Sequence, residues 1–198
     1  PPKDRFWADP FVIFLEDNYY IFFEECLYQE NIGYISFIKI DLKGNYTEPK
    51  IVLKKPYHIS YPFIFKFEDS FYMTTESCAN NQTDVFKCTN FPDEWKYYTT
   101  ILAGKCLVDP TLFQYNGKWW LFACKGNSDG TSKSNELLLY FSDSPFSENW
   151  KEHPMNPIIT DIKKARPAGK ISVIDGKIIR PGQNCYRVYG NGFSFNEI

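Results

Sequence analysis

The chain has 198 residues, enough for one domain with a sizeable core, and a net charge of −2 with acids and bases intermixed, which leaves no basic footprint for nucleic acid. No apolar run is long enough to cross a membrane as a helix, and no secretory leader opens the sequence. Aromatic residues make up 19% of the chain, a composition suited to packing sheet against sheet.

Taken in chain order, the elements repeat. Phe11–Leu15 and Tyr19–Phe23 flank a polar turn at Glu16-Asp17-Asn18, which predicts a hairpin. Gly33–Ile40 and Lys50–Leu53 follow as a third and a fourth strand. The second copy has Phe63–Phe67, a turn at Glu68-Asp69-Ser70 and Phe71–Thr74, then Asp84–Cys88 and Lys96–Leu102. The third has Leu112–Tyr115 and Lys118–Ala123 about Asn116-Gly117, a strong hairpin signal, then Leu137–Ser142 and a weak strand near Trp150–His153. The polar stretch Gly126–Asn135 reads as the loop before its third strand. The fourth has Lys170–Ile174 and Lys177–Ile179 about Asp175-Gly176, with Pro181 cutting the second strand short, and then Gly192–Asn196. No segment has sustained helical periodicity.

A short phrase opens each copy: Ala8-Asp9-Pro10, Ser60-Tyr61-Pro62, Val108-Asp109-Pro110 and Ala165-Arg166-Pro167. The residues before proline recur at intervals of 52, 48 and 57. A period near fifty marks one supersecondary unit used repeatedly, and four antiparallel strands per unit is a propeller blade. The prediction is an all-β propeller forming a single, partial domain over 1–198, with blades over 8–56, 57–104, 105–156 and 157–198. A sandwich of short strands is the alternative. Both ends of the chain look like cuts through a larger protein. Phe22, Phe65, Trp119 and Phe122 are the predicted core between blades.

In a blade the start of the first strand and the end of the second lie on one face. Asp9, Tyr61, Asp109 and Arg166 therefore fall beside Glu24, Glu76 and Cys124, with Glu25, Ser77, Lys125 and Gln183 close by. Carboxylates, an amide and aromatic faces such as Trp7 and Tyr61 suit a sugar. Each residue also has a plain structural alternative. An aspartate before proline can cap its own turn, a strand-end glutamate can pair with a lysine, and Arg166 can bridge to Asp9 or Asp109.

The six cysteines, Cys26, Cys78, Cys88, Cys106, Cys124 and Cys185, form no Cys-x-x-Cys pair, and only His58 and His153 could assist, so neither a structural zinc nor a cofactor is expected. Those that follow second strands (Cys26, Cys78, Cys124 and Cys185) read as small packing residues, with a disulfide between neighbouring blades as the alternative. Asn45-Tyr46-Thr47 and Asn81-Gln82-Thr83 match the N-glycosylation pattern. Secreted and cytosolic settings both fit.

The phrases Phe6-Trp7-Ala8-Asp9-Pro10-Phe11 and Phe22-Phe23-Glu24-Glu25 resemble the first blade of the five-bladed propeller glycosidases of families 43, 32, 62 and 68. His58-Ile-Ser-Tyr-Pro-Phe63, Thr75-Glu76-Ser77, Val108-Asp-Pro-Thr-Leu-Phe113, Lys118-Trp-Trp-Leu-Phe122, Ala165-Arg-Pro-Ala-Gly169 and Phe193–Ile198 resemble more closely a propeller domain at the N-terminal side of plant glucosamine inositolphosphorylceramide transferases. That domain also accompanies a formyltransferase-like module in bacterial proteins. The resemblance implies five blades, of which about four are present here. It matches Asp9 to the glycosidase general base, puts Tyr61 where an orienting acid stands, and puts Asp109 where a glutamate acts as general acid; Glu76 could supply a replacement acid. The expected ligand is a glycan or glycolipid headgroup, held through Asp9, Asp109, Glu76, Tyr61, Glu24, Arg166, Gln183 and Trp7 for other domains of a parent protein. An inverting hydrolase with Asp9 as base and Asp109 or Glu76 as acid is the alternative, and a propeller that binds only protein is a third.

Overall fold

The computed structural model describes residues 1–127, 132–188 and 190–198. Among them the chain forms four antiparallel sheets, each a meander of consecutive strands. The first holds β1 (Arg5–Leu15), β2 (Asn18–Leu27), β3 (Gly33–Asp41) and β4 (Lys50–Leu53). The second holds β5 (Ser60–Phe67), β6 (Ser70–Glu76), β7 (Thr83–Asn90) and β8 (Glu94–Ile101). The third holds β9 (Leu107–Tyr115), β10 (Lys118–Gly126), β11 (Ser132–Ser142) and β12 (Lys151–Glu152), with β13 (Ile159–Thr160) also on β11. The fourth holds β14 (Ser172–Ile174), β15 (Lys177–Asn184) and β16 (Gly192–Glu197). Among the described residues the one helical element is a 3₁₀ turn, Cys78–Asn80, and none is long and apolar enough to cross a membrane.

The turns follow from their residues. Glu16 and Asp17, Asn116 and Gly117, and Asp175 and Gly176 all have positive φ, the requirement of a two-residue type I′ hairpin. That geometry matches the right-handed twist of the flanking strands. Asn18 opens β2 instead of belonging to the turn.

Two expectations are corrected. Pro181 does not end β15, which pairs with β16 as far as Asn184↔Gly192. The carbonyl of Pro181 accepts from Ala168 N, and Gln183 N donates to Arg166 O, so residues 181 and 183 face the 166–168 segment. The N–H that proline lacks therefore falls on that side, and the β15–β16 ladder loses no bond. The stretch 126–135 is shorter as a loop than expected, because Gly126 pairs with Ser132 across a bulge and β11 runs through Asn135; residues 128–131 lie outside the described residues.

The chain divides into two compact units: Pro1–Glu76 with Asp84–Thr99, and Ser77–Thr83 with Thr100–Ile198. The core of the first gathers Tyr20, Phe22, Ile35, Ile64, Met73 and Phe86. That of the second gathers Val108, Phe122, Cys124, Leu137, Ala165 and Ile171. Phe22, Phe65, Trp119 and Phe122 are all buried. Each such aromatic contributes about 1.5–3 kcal/mol on leaving water. On β16 the pattern is inverted: Phe193 and Phe195 are 67% and 68% exposed and touch each other, ring centroids 5.5 Å apart.

Cys78, read above as a packing residue, is joined to Cys106 in a disulfide, with Cα atoms 4.4 Å apart. Gly126 lies so close that a Cβ there would collide with both sulfurs, so a side chain at that position and the bridge cannot coexist without movement. Cys26, Cys88, Cys124 and Cys185 keep free thiols. Burial pushes the Cys124 thiol up to about 12, which leaves it inert at neutral pH.

Candidate functional site

The same local device opens the first three blades. Ala8 pairs with Glu24, Ser60 with Glu76, and Val108 with Cys124; in each case the register then slips across a bulge before regular pairing resumes. The residue inside each bulge is Asp9, Tyr61 or Asp109, with φ of 50°, 50° and 54°. Left-handed backbone is uncommon for any side chain and is an outlier for a bulky one such as tyrosine. The proline that follows disfavours anything but extended backbone at that position. Three blades thus hold a strained residue at one equivalent point, at a cost of order 1–3 kcal/mol each. A bulge re-aims its side chain out of the strand's alternation. The scaffold is constant, whereas the group presented changes from carboxylate to phenol to carboxylate.

Asp9 is half-buried and Tyr61 fully buried, its ring edge-on to Phe11 at 4.9 Å. Both belong to the first unit, while Asp109 and Arg166 belong to the second. Arg166 Nε donates to Asp109 Oδ2 at 2.6 Å and Nη2 to Oδ1 at 3.4 Å, with side-chain exposures of only 7% and 2%. Asp109, offered from the sequence as a partner of Arg166, is one. Gln183 stands beside this pair through its backbone bond to Arg166 O at 2.7 Å, and its Oε1 accepts from Cys185 Sγ.

Arg180 was not picked out from the sequence. It is 1% exposed, and its guanidinium donates to the carbonyls of Lys164, Ala165 and Pro181. It therefore braces the turn that delivers Arg166. A lone arginine in a strand gives no sequence signal of this role.

In the first unit Glu24 and Glu25 are adjacent buried glutamates, and Glu25 gathers three side-chain donors. It accepts from Arg5 Nη1 at 2.9 Å, Trp7 Nε1 at 3.3 Å and Ser36 Oγ at 2.6 Å. Trp7, expected to contact ligand, is thus tied to Glu25 and packs 4.7 Å from Phe23. Its neighbour Glu24 faces His58, Oε1 to Nε2 3.5 Å. The backbone N–H of Gly33 donates to His58 Nδ1 at 3.0 Å. Nδ1 is therefore the unprotonated nitrogen and Nε2 carries the proton toward Glu24. Burial lowers the His58 pKa, which favours this neutral form. Gly33 makes the arrangement possible, since a Cβ there would stand 2.7 Å from Glu24 Oε1 and Ile59 O and 2.9 Å from His58 Cε1.

Glu24, Cys26 and His58 place one ligand atom each within 4.8 Å of one another. A cation at Nε2 would have to displace its proton while Nδ1 still accepts from Gly33, so the trio as bonded is not a prepared ligand set. Glu76 is partly exposed at the end of β6.

Four antiparallel meanders, the first three opened by the same bulge, define a β-propeller of glycosidase-like fold. An exo-β-1,3-galactanase of Clostridium thermocellum matches all of the chain with a TM-score of 0.75 at 12% identity, the chain covering 47% of that structure. A family 117 glycoside hydrolase of Zobellia galactanivorans matches 98% of it with a TM-score of 0.72 at 14% identity, the chain covering 67% of that structure. In sequence, the glucosamine inositolphosphorylceramide transferase 1 proteins of Oryza sativa subsp. japonica and Arabidopsis thaliana are 36% and 35% identical over 197 residues. The family model described as glucosamine inositolphosphorylceramide transferase 1, N-terminal, matches residues 2–198, and the chain belongs to that family. It spans 26% of the length of those relatives.

Proposed function

We propose that this chain is the glycan-binding propeller of a larger sugar-transferring protein, and that it holds a glycan or glycolipid headgroup at the residues opening its blades. The observation that carries this is the bulged, left-handed position at Asp9, Tyr61 and Asp109, where one backbone presents different chemistry. Outliers of this kind cluster where ligands are held. The names of the relatives point to a phosphoinositol sphingolipid headgroup or an aminosugar as the ligand class. Within the first unit Glu24, Glu76 and Trp7 are proposed as further contacts beside Asp9 and Tyr61, and within the second Gln183 and Arg166 beside Asp109. The partner module on the parent chain is read as glycosyl-transferring, in keeping with those names.

Binding is favoured over hydrolysis by the state of Asp109. Both of its oxygens accept from Arg166 and the residue is 2% exposed, so the carboxylate is engaged in a buried ion pair. The second reading, an inverting hydrolase with Asp9 as base and Asp109 or Glu76 as acid, draws on the glycosidase fold and on the half-buried carboxylate of Asp9. We propose further that the complete propeller has five blades. The exposed Phe193 and Phe195 support this, because an apolar strand face of that kind calls for a covering sheet.

Titration calorimetry of the chain against inositol phosphate and hexosamine headgroups tests binding. Asp9→Asn removes one charged acceptor, and the expected loss is about 10- to 100-fold in affinity, from 1.5–3 kcal/mol for a charged hydrogen bond. Unchanged affinity would exclude Asp9 from the site.

A further inference from the structure

The turn after β6 combines three features that ligand binding does not use. Asn81-Gln82-Thr83 carries a carboxamide two residues before a hydroxyl, with no proline between, the pattern of an N-linked glycan acceptor. Asn81 is exposed and closes the 3₁₀ turn in the left-handed conformation, φ 51°, its N–H on the carbonyl of Cys78 at 2.9 Å. Thr83 is 1% exposed, and its hydroxyl has no hydrogen-bond partner among the described residues. A buried, unpartnered hydroxyl is a cost that valine would avoid, so the fold itself gives no reason for threonine there. Thr74 and Thr75 on β6 share that isolation without any acceptor motif, so the case rests on the three features together.

The third feature is the Cys78–Cys106 disulfide, three residues before Asn81 in the chain. Disulfides persist in oxidising compartments, the setting in which such glycans are attached. The other acceptor pattern lacks this force. Asn45 Nδ2 donates to Asp41 Oδ2 and Thr47 Oγ1 accepts from Lys39 N, so both residues are explained by the hairpin they build.

We infer that Asn81 carries an N-linked glycan and that the chain matures in an oxidising, glycan-transferring compartment. The donor is a lipid-pyrophosphate-linked oligosaccharide presented by an oligosaccharyl transferase. Nδ2 of Asn81 forms a bond to the anomeric carbon as the bond from that carbon to the phosphate oxygen breaks. The lipid pyrophosphate leaves with the bonding electrons, and one Nδ2 proton passes to a base of the transferase. Because Thr83 is buried in the folded chain, transfer precedes folding of this turn.

The test uses the full-length parent protein purified from its own cells. It is treated with peptide-N-glycosidase in heavy-oxygen water and mapped by mass spectrometry without reduction. The expected result is heavy-labelled aspartate at position 81 together with linked Cys78 and Cys106 peptides. Unlabelled asparagine at position 81 overturns the inference. Thr83→Val in the same cells keeps the branching and volume of the side chain and removes the acceptor hydroxyl; loss of the glycan with an unchanged or higher melting temperature is expected, and a retained glycan overturns the inference. If that variant does not fold, Asn81→Gln on the exposed turn replaces it. One glycan fewer by gel mobility is then expected, and unchanged mobility overturns the inference.

Discussion

Removal of Arg166 probes the best-defined polar contact in the second unit. Arg166→Ala leaves the Asp109 carboxylate 2% exposed and without the guanidinium that now meets both of its oxygens. Breaking a buried pair from one side costs about 3–5 kcal/mol, because the remaining charge stays desolvated. That corresponds to about a hundred- to several-thousandfold in the ratio of folded to unfolded chain, a large share of a typical domain's stability. Urea denaturation followed by tryptophan fluorescence measures the loss, and amide exchange over β9 assigns it to this unit. The double variant Asp109→Asn with Arg166→Met removes both charges, and it is expected to recover most of the loss, since an apolar replacement of a buried pair is often neutral. A cost below about 1 kcal/mol for Arg166→Ala would place the pair among solvated surface bridges and refute the reasoning.

Reduction of Cys78–Cys106, which spans 28 residues, is expected to lower stability by about 3–4 kcal/mol from the entropy returned to the unfolded chain; a denaturation midpoint indifferent to reductant would contradict this. Gly33→Ala forces a Cβ against the carbonyl of Ile59, a backbone atom that cannot swing aside, and is expected to cost about 1–3 kcal/mol, readable as a lower urea midpoint with an unchanged slope. His58 has a folded pKa below its ordinary value of 6.5 because it is buried. Its contribution to stability is therefore complete above pH 6.5 and is lost as pH falls toward the folded value, where the unfolded chain binds a proton the folded chain resists. Urea midpoints between pH 7 and pH 5 should fall less steeply in His58→Gln than in the parent, and equal slopes would count against the lowered pKa.

Much of the scaffold could be read from the chain because its signals are local. Asn116-Gly117 and Asp175-Gly176 tolerate positive φ, so the hairpins they close are written in two residues. The repeat was visible for the same reason: each blade spells its own opening phrase. What could not be read depends on contacts made far along the sequence. Cys78 and Cys106 meet only once the turn after β6 and the approach to β9 are folded. The pairing of Glu24 with His58 rests on Gly33 from a third segment, which local pattern does not reveal. Pro181 misled because a proline's effect in a strand depends on which way its missing N–H would point, a matter of register and not of residue type. The left-handed backbone at Asp9, Tyr61 and Asp109 runs against the extended conformation that a following proline favours. The sequence marked these positions by their variable chemistry, while their strain emerges only from the bulged ladder.

Binding without bond cleavage is tested most directly by following one preparation of the complete propeller for both properties. Its turnover of a panel of aryl glycosides and its affinity for inositol phosphate and hexosamine headgroups are each compared with those of Asp9→Asn. Measurable headgroup binding, weakened about 10- to 100-fold by the substitution and unaccompanied by hydrolysis, is the predicted result. Robust glycoside turnover that Asp9→Asn abolishes would contradict it and establish the hydrolase instead.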